Sequence, residues 1–201
     1  MGKFTTIISD LGNVICPFDF TPAYAAIAKR AGVAPEDVKQ YCLDTDRVKA
    51  LETGLMTPDD FLKGLMRRFD FVAPLPQLEF LFSNIFTVNH GVVALWRSLK
   101  PRYRFCLLSN TNDMHVNFLK PRYDFWPLFD HLILSYQIGY IKPEPEIFLE
   151  ALHRCQAEPK ECLFVDDIAR YVEAAQSLGL TALQFTSESQ LRLDLKALGI
   201  T

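Results

Sequence analysis

Four short polar clusters in this chain have residue types and spacing suited to one reaction. They are Asp10-Leu11-Gly12-Asn13-Val14 after Ile7-Ile8-Ser9, Ser109-Asn110-Thr111-Asn112 after Leu107-Leu108, Lys142 ahead of Pro143, and Asp166-Asp167 after Leu163-Phe164-Val165. Two carboxylate sites, a lysine and a hydroxyl–amide loop are the parts that phosphoryl transfer through a covalent aspartyl phosphate uses. Asp10 is the nucleophile of that scheme. Asp10 and Asp167 supply the carboxylates that magnesium prefers beside waters and substrate oxygens. Ser109, with backbone N–H groups where a helix opens at Asn112, suits phosphate oxygens. Lys142 is a compact cation that offsets charge on nucleophile and phosphate. A metal also keeps Asp10 from repelling an anionic substrate. Taken singly, each cluster has a bland reading as a turn, a helix cap or surface material. Their joint placement is what carries the chemistry.

That placement depends on the elements that carry the clusters. Five short apolar segments read as strands: Phe4 to Ser9, Arg104 to Ser109, Leu132 to Ser135, Cys162 to Val165 and Thr181 to Phe185. None alternates with polar residues, as expected of strands covered on both faces in a parallel sheet. Helical patterns separate the later strands, on Val92, Trp96 and Leu99, on Phe148, Leu152 and Cys155, and on Leu191, Leu195 and Leu198. Ser187 with Gln190 predicts a capping box before the last of these. Alternating strand and helix imply right-handed crossovers and an open Rossmann-like α/β sheet, whose ligands bind beyond the carboxyl ends of the strands.

From about Phe18 to Val88 the alternation stops and the sequence reads as helices alone. Thr21-Pro22 and Thr57-Pro58 predict N-caps followed by proline at the first helical position. Phe61, Leu62, Leu65, Met66 and Phe69 make a broad apolar stripe. Such a block predicts an inserted α-helical cap domain over residues 16–88, on a core domain of residues 1–15 and 89–201. Within the cap, Phe18, Asp19 and Phe20 are expected in the pocket wall, and Asp44, Arg47 and Glu52 are candidates to reach inward. The segment Leu99-Lys100-Pro101-Arg102-Tyr103 recurs as Leu119-Lys120-Pro121-Arg122-Tyr123, which reads as two similar helix stops, with Arg122 a candidate to face substrate.

Composition excludes several other classes. A net charge of −3 over 201 residues, with mixed signs and no basic run, argues against nucleic acid as partner. Five cysteines, odd in number and without a Cys-x-x-Cys pair, suit buried reduced thiols and a cytoplasmic location. No signal-peptide pattern or membrane-length apolar run is present, so a soluble protein is expected with no membrane partner.

The stretches Ile7 to Ile15, Leu107 to Thr111, Lys142-Pro143 and Leu163 to Asp167 resemble the successive signature motifs of the haloacid dehalogenase (HAD) superfamily. The resemblance spans the whole chain. Asp10-Leu-Gly-Asn-Val with Ser109-Asn-Thr-Asn-x-x-His115 is most similar to a bacterial branch that includes sugar-phosphate phosphatases such as α-glucose-1-phosphate phosphatase. It implies a HAD-like core of strand order 5-4-1-2-3 and a magnesium-dependent phosphatase acting on a small phosphorylated metabolite. It further implies that Asp10 is nucleophile and metal ligand and that Gly12 gives a backbone oxygen to the metal. Asp167 becomes the second metal carboxylate and Asp166 its support. Ser109, Asn110 and Lys142 hold phosphate, with Lys142 also bracing the site.

Two departures from the family pattern matter. Most phosphatases of the superfamily carry an acid–base aspartate two positions after the nucleophile, where this chain has Gly12. Losing a positioned acid costs about 10²–10⁴-fold, which predicts a slower reaction and a preference for good leaving groups. Tyr171 stands where many relatives have asparagine, which predicts one hydrogen bond fewer near Lys142. Gly12 also leaves open a metal-free 2-haloacid dehalogenase, against which the Asp166-Asp167 pair argues. A catalytically weakened phospho-ligand-binding protein is the third reading. His115 is expected to pack behind the rim. His90 and His131 show no ligand spacing, and His153 falls on a polar face.

Overall fold

The computed structural model describes residues 4–200. Five strands, β1 (Thr6–Ser9), β2 (Arg104–Ser109), β3 (His131–Leu134), β4 (Cys162–Asp166) and β5 (Thr181–Gln184), form one parallel sheet. Its order is β3-β2-β1-β4-β5, the expected order read from the opposite edge. Between β1 and β2 lie α1 (Thr21–Ala31), α2 (Pro35–Cys42), α3 (Thr45–Glu52), α4 (Pro58–Arg68), α5 (Leu75–Ser83) and α6 (His90–Leu99). Then come α7 (Asp113–Leu119) before β3, and α8 (Ser135–Ile138) and α9 (Pro145–Cys155) before β4. The chain ends with α10 (Ala169–Ser177) before β5 and α11 (Glu188–Ala197) after it.

Alternate residues of each strand feed different cores, as pleating requires. Ile7, Phe105, Leu107, Leu163 and Val165 pack with Trp96 and Leu99 of α6 and Leu191 and Leu195 of α11. Ile8, Cys106, Leu108 and Phe164 pack with Phe148 and Ala151 of α9 and Val172 of α10. Buried Trp96 meets its one polar need by donating Nε1–H to Ser9 Oγ at 3.2 Å. Because Ser9 aligns with Val165, the next residues outward, Asp10 and Asp166, leave the sheet side by side. This is the point where strand order reverses around β1.

Helices α1 to α5 share a separate apolar cluster, including Ile27, Val38, Leu62, Leu65, Leu78 and Phe82. Thr57 caps α4 as predicted, accepting from Asp60 N at 3.1 Å. At α1 the prediction fails. Thr21 is already helical, and the Asp19 carboxylate accepts from its N–H at 2.8 Å. The same carboxylate also engages the Thr21 hydroxyl, which is then spent backward and caps no N–H of the helix. Ser187 caps α11 through Gln190 N, but the Gln190 side chain goes to Asp194, so only half of the box forms. The two chain crossings between helical block and sheet run side by side, joined by Asp19 N to Ile85 O, Thr87 N to Pro17 O and Asn89 N to Ile15 O. All five cysteines are buried and free. Among the described residues, no helix is long and apolar enough to cross a membrane.

Candidate active site

At the rim, Lys142 is the centre of the polar arrangement. Its side chain is 1% exposed, and Nζ donates to Asp10 Oδ1 at 2.7 Å, Asp166 Oδ2 at 2.5 Å and Leu108 O at 3.1 Å. All three ammonium donors are therefore satisfied. The rings of Tyr171 and Phe164 flank it at 5.2 and 5.7 Å. Burial opposes the charge, but the two carboxylates outweigh it and hold the ammonium above its ordinary range. Tyr171 offers the ammonium its ring and no hydrogen bond, and the two carboxylates with the Leu108 carbonyl take every donor.

Asp10 is buried, and burial pushes its carboxyl up to about 7 against the pull of Lys142. Its Oδ1 is taken by Lys142, while Oδ2 faces Gly12. Asp166 is fully buried between Lys142 and the Ile168 N–H, which its Oδ1 accepts at 2.9 Å. Asp167 is half-buried, and burial raises its carboxyl. It accepts from Asn13 Nδ2 at 2.9 Å across 154 residues of sequence. Asn13 sits at φ 52°, a left-handed conformation that asparagine tolerates better than most residues. In the sequence Asn13 is marked only as an asparagine in the turn three residues after Asp10.

One oxygen each from Asp10, Asp166 and Asp167 lie within 4.8 Å of one another, the one such metal-compatible group among the described residues. Three carboxylates meet one ammonium, so ionised side chains leave surplus negative charge. A hard divalent cation fits that oxygen set and that charge. Asp166 has spent its oxygens on Lys142 and Ile168, which leaves Asp10 and Asp167 as the better ligands. The Gly12 carbonyl accepts from Val14 N at 2.5 Å and retains a second lone pair.

Beside this cluster lies a pocket of about 100 Å³ lined by Gly12, Phe18, Glu52, Ser109, Asn110 and His115, among others. An adjoining apolar pocket of about 230 Å³ runs under the helical block past Phe20, Tyr24 and Phe61. Ser109 is buried at the pocket floor. The Asn110 side chain is spent elsewhere: Oδ1 accepts from Lys142 N at 2.7 Å and Nδ2 donates to Lys142 O at 3.0 Å. It anchors the lysine's backbone. Thr111 is clipped to Ser135 Oγ, which fixes the loop's path.

Phe18 and Phe20 line the pockets, whereas Asp19 caps α1. Of the three inner candidates only Glu52 reaches in. Asp44 caps α3, and Arg47 donates to Tyr41 O while stacking on its ring at 3.8 Å. Arg122 turns back onto Phe118. His115 lies against the rings of Phe20 and Phe86, with its Nε2 sealed from solvent and its ring close to the Phe82 backbone. A larger groove of about 610 Å³, lined by Thr57, Glu79 and Asp113 among others, touches none of the carboxylate cluster.

Comparison with known proteins agrees with this geometry. D-ribitol-5-phosphate phosphatase from Bacteroides thetaiotaomicron is 30% identical, with 94% of this chain and 95% of that protein covered. A solved HAD family enzyme from the same organism, in complex with magnesium and inorganic phosphate, superposes with a TM-score of 0.82 at 26% identity, covering 91% of this chain and 94% of that one. A HAD-like family hydrolase from Porphyromonas gingivalis gives a TM-score of 0.83 at 26% identity, covering 98% of each chain. The family model of the haloacid dehalogenase-like hydrolases matches residues 4–179. With that span and the rim clusters on one sheet edge, the chain belongs to the haloacid dehalogenase-like hydrolases.

Proposed function

We propose that this protein is a magnesium-dependent phosphatase that hydrolyses a small phosphorylated metabolite through an aspartyl phosphate on Asp10. The observation that carries this reading is the meeting of the Asp10, Asp166 and Asp167 carboxylates, the first two paired with Lys142, at the switch point of the sheet. A D-ribitol-5-phosphate phosphatase among the relatives, and a structural neighbour holding magnesium and phosphate, support the same reading. They also make phosphorylated polyols and sugars the first substrates to screen.

In this reading residues 16–88 are a cap over a core of residues 1–15 and 89–201. Asp10, Asp167 and the Gly12 carbonyl hold magnesium, which when bound neutralises charge on the phosphoryl oxygens. Asp10 Oδ2, not engaged by Lys142, attacks phosphorus, and the bond to the leaving oxygen breaks. Lys142 favours the ionised form of Asp10 against its burial, orients it and draws the phosphoryl group toward it. Ser109 Oγ and the main-chain N–H of Asn110 receive phosphate oxygens, while the Asn110 side chain holds Lys142 in place. Asp166 fixes the lysine from behind. Water then attacks the phosphorus of the aspartyl phosphate, which frees Asp10 and inorganic phosphate. The aromatic wall of Phe18, Phe20 and Phe86 limits solvent around these steps.

Asp10→Asn is the direct test. It should abolish magnesium-dependent phosphate release from 4-nitrophenyl phosphate while leaving a folded protein. Equal rates for variant and parent would refute the reading.

A further inference from the structure

Position 12 supplies no acid, and the packing leaves little room for one. A Cβ on Gly12 would stand 3.1 Å from Phe18 Cε1, so a side chain there would crowd this aromatic ring and push it aside by a few tenths of an ångström. Across the same pocket stands Glu52, the last residue of α3. Among the described residues its carboxylate makes no hydrogen bond or ion pair. Several other acids of the helical block are engaged, Asp37 and Asp44 as caps, Asp59 with Lys63 and Asp60 with Thr57, while Asp46, Asp70 and Glu79 lie outside the pocket lining. A carboxylate sheltered among aromatic rings without a partner is costly unless it is protonated or used.

The end of α3 is also held against the sheet domain on both sides of Glu52. Lys49 Nζ bridges to Glu144 at 2.6 Å, two residues past Lys142. Gly54, at φ +75°, lies so close to Tyr136 O that a Cβ there would come within 2.4 Å of it. Thr53 between them is buried, with its hydroxyl on Lys49 O at 2.7 Å. Residue 52 thus stands at the rim between a surface ion pair and a close backbone approach.

We propose that Glu52 is the general acid and base of this phosphatase, performing from the helical block the proton transfers that position 12 cannot. The inference rests on the phosphatase reading above. In the first step Asp10 Oδ2 bonds to phosphorus, the bond from phosphorus to the leaving oxygen breaks, and the Glu52 carboxyl gives its proton to that oxygen, releasing an alcohol. In the second, the Glu52 carboxylate takes a proton from the water that attacks phosphorus, and the bond from phosphorus to Asp10 breaks. Glu52 ends protonated, as it began. Burial pushes its carboxyl up to about 7, partly opposed by the charge of Lys142, which suits both roles near neutrality. The other titratable groups around it are His115, Tyr24 and Cys42 in the pocket walls, Asp10 beside Lys142, and Lys49 and Tyr136 at the docking contacts. The consequence for substrate class is that unactivated alkyl phosphates, such as those of polyols, are turned over as well as activated ones.

The experiment compares kcat/KM of parent, Glu52→Gln and Glu52→Asp, all with magnesium, on glycerol phosphate, phenyl phosphate and 4-nitrophenyl phosphate. Glu52→Gln should lose about 10²–10⁴-fold on glycerol phosphate, with a loss that shrinks as the leaving group becomes more acidic. The alkaline fall of the parent's pH profile near 7 should vanish in Glu52→Gln and persist, at lower rate, in Glu52→Asp. A loss of equal size on all three esters, or none, overturns the proposal while the phosphatase reading stands. A parent that cleaves none of them overturns both. Unchanged thermal midpoints confirm that the variants are folded.

Discussion

Replacing Lys142 by methionine tests whether the rim is organised by charge. The side chain is 1% exposed and gives its three N–H groups to Asp10, Asp166 and the Leu108 carbonyl. Methionine keeps the flexible apolar stem between Phe164 and Tyr171 and removes only the cation. Two buried carboxylates then face each other uncompensated. Removing one partner of a buried ion pair costs about 3–5 kcal/mol, which for a chain of this size lowers Tm by roughly 6–20 °C. The assay is thermal unfolding in chelator and again with magnesium. If a divalent cation at the carboxylates offsets part of the surplus charge, magnesium should raise Tm more for Lys142→Met than for the parent. At a hundred times its Kd, binding to the folded state alone contributes about 2.7 kcal/mol. Phosphate release should fall by about 10²–10³-fold, as when a preorganised electrostatic group is lost. A variant that melts with the parent in chelator would refute the reasoning, because the carboxylates would then not depend on the lysine.

Other residues give separable outcomes. Asn13→Gly keeps the left-handed turn but frees Asp167, and should raise the magnesium concentration for half-activation about 10–100-fold with little change in Tm. Leu62→Ala should cost about 2–5 kcal/mol in urea unfolding, because this fully buried side chain anchors the five-helix cluster. An undiminished urea midpoint would show that the cluster does not depend on it. His115 is held by burial at about 4, down from 6.5. Below 6.5 the unfolded chain takes up a proton that the folded state refuses, so stability is complete above 6.5 and falls as pH drops toward 4. The loss reaches about 3 kcal/mol, and His115→Gln should flatten it in urea midpoints measured across that range.

The rim was legible in the sequence because each apolar run breaks on a polar residue at the strand's carboxyl end, and Arg104 to Ser109 even had its strand limits readable. A buried strand is mostly apolar, with Thr6 and Ser9 of β1 as small buried exceptions, so the charged Asp10 and Asp166 mark where β1 and β4 reach the rim. What escaped were contacts between distant segments. The amide of Asn110 looked free to bind phosphate because its partners, the Lys142 N–H and carbonyl, lie 32 residues on. Asp19 turns to α1 instead of the pocket wall because its carboxylate engages both the N–H and the hydroxyl of Thr21, a local pairing that a pattern of apolar residues does not display. Asp44 and Arg47 looked as available as Glu52. Only the docking of α3 on Tyr136 and Glu144 selects among the three.

That selection bears on how the departure at Gly12 is best understood. Taken alone, a missing acid reads as loss of function, and a vacated position would leave a gap beside Asp10. Here Phe18 stands 3.1 Å from where a Cβ on residue 12 would lie, and it contacts Phe20 and Phe86 at ring distances of 5.7 and 5.9 Å. The same rings line the pocket that Glu52 enters and shield it in part. One aromatic side chain thus both crowds position 12 and contributes to the burial that raises the acid opposite. Phe18→Ala should therefore admit water, return the Glu52 carboxyl toward its ordinary value, and move the alkaline limb of the pH profile downward. A profile unmoved by Phe18→Ala, measured on the same alkyl phosphate, would separate the two roles and leave Phe18 as packing alone.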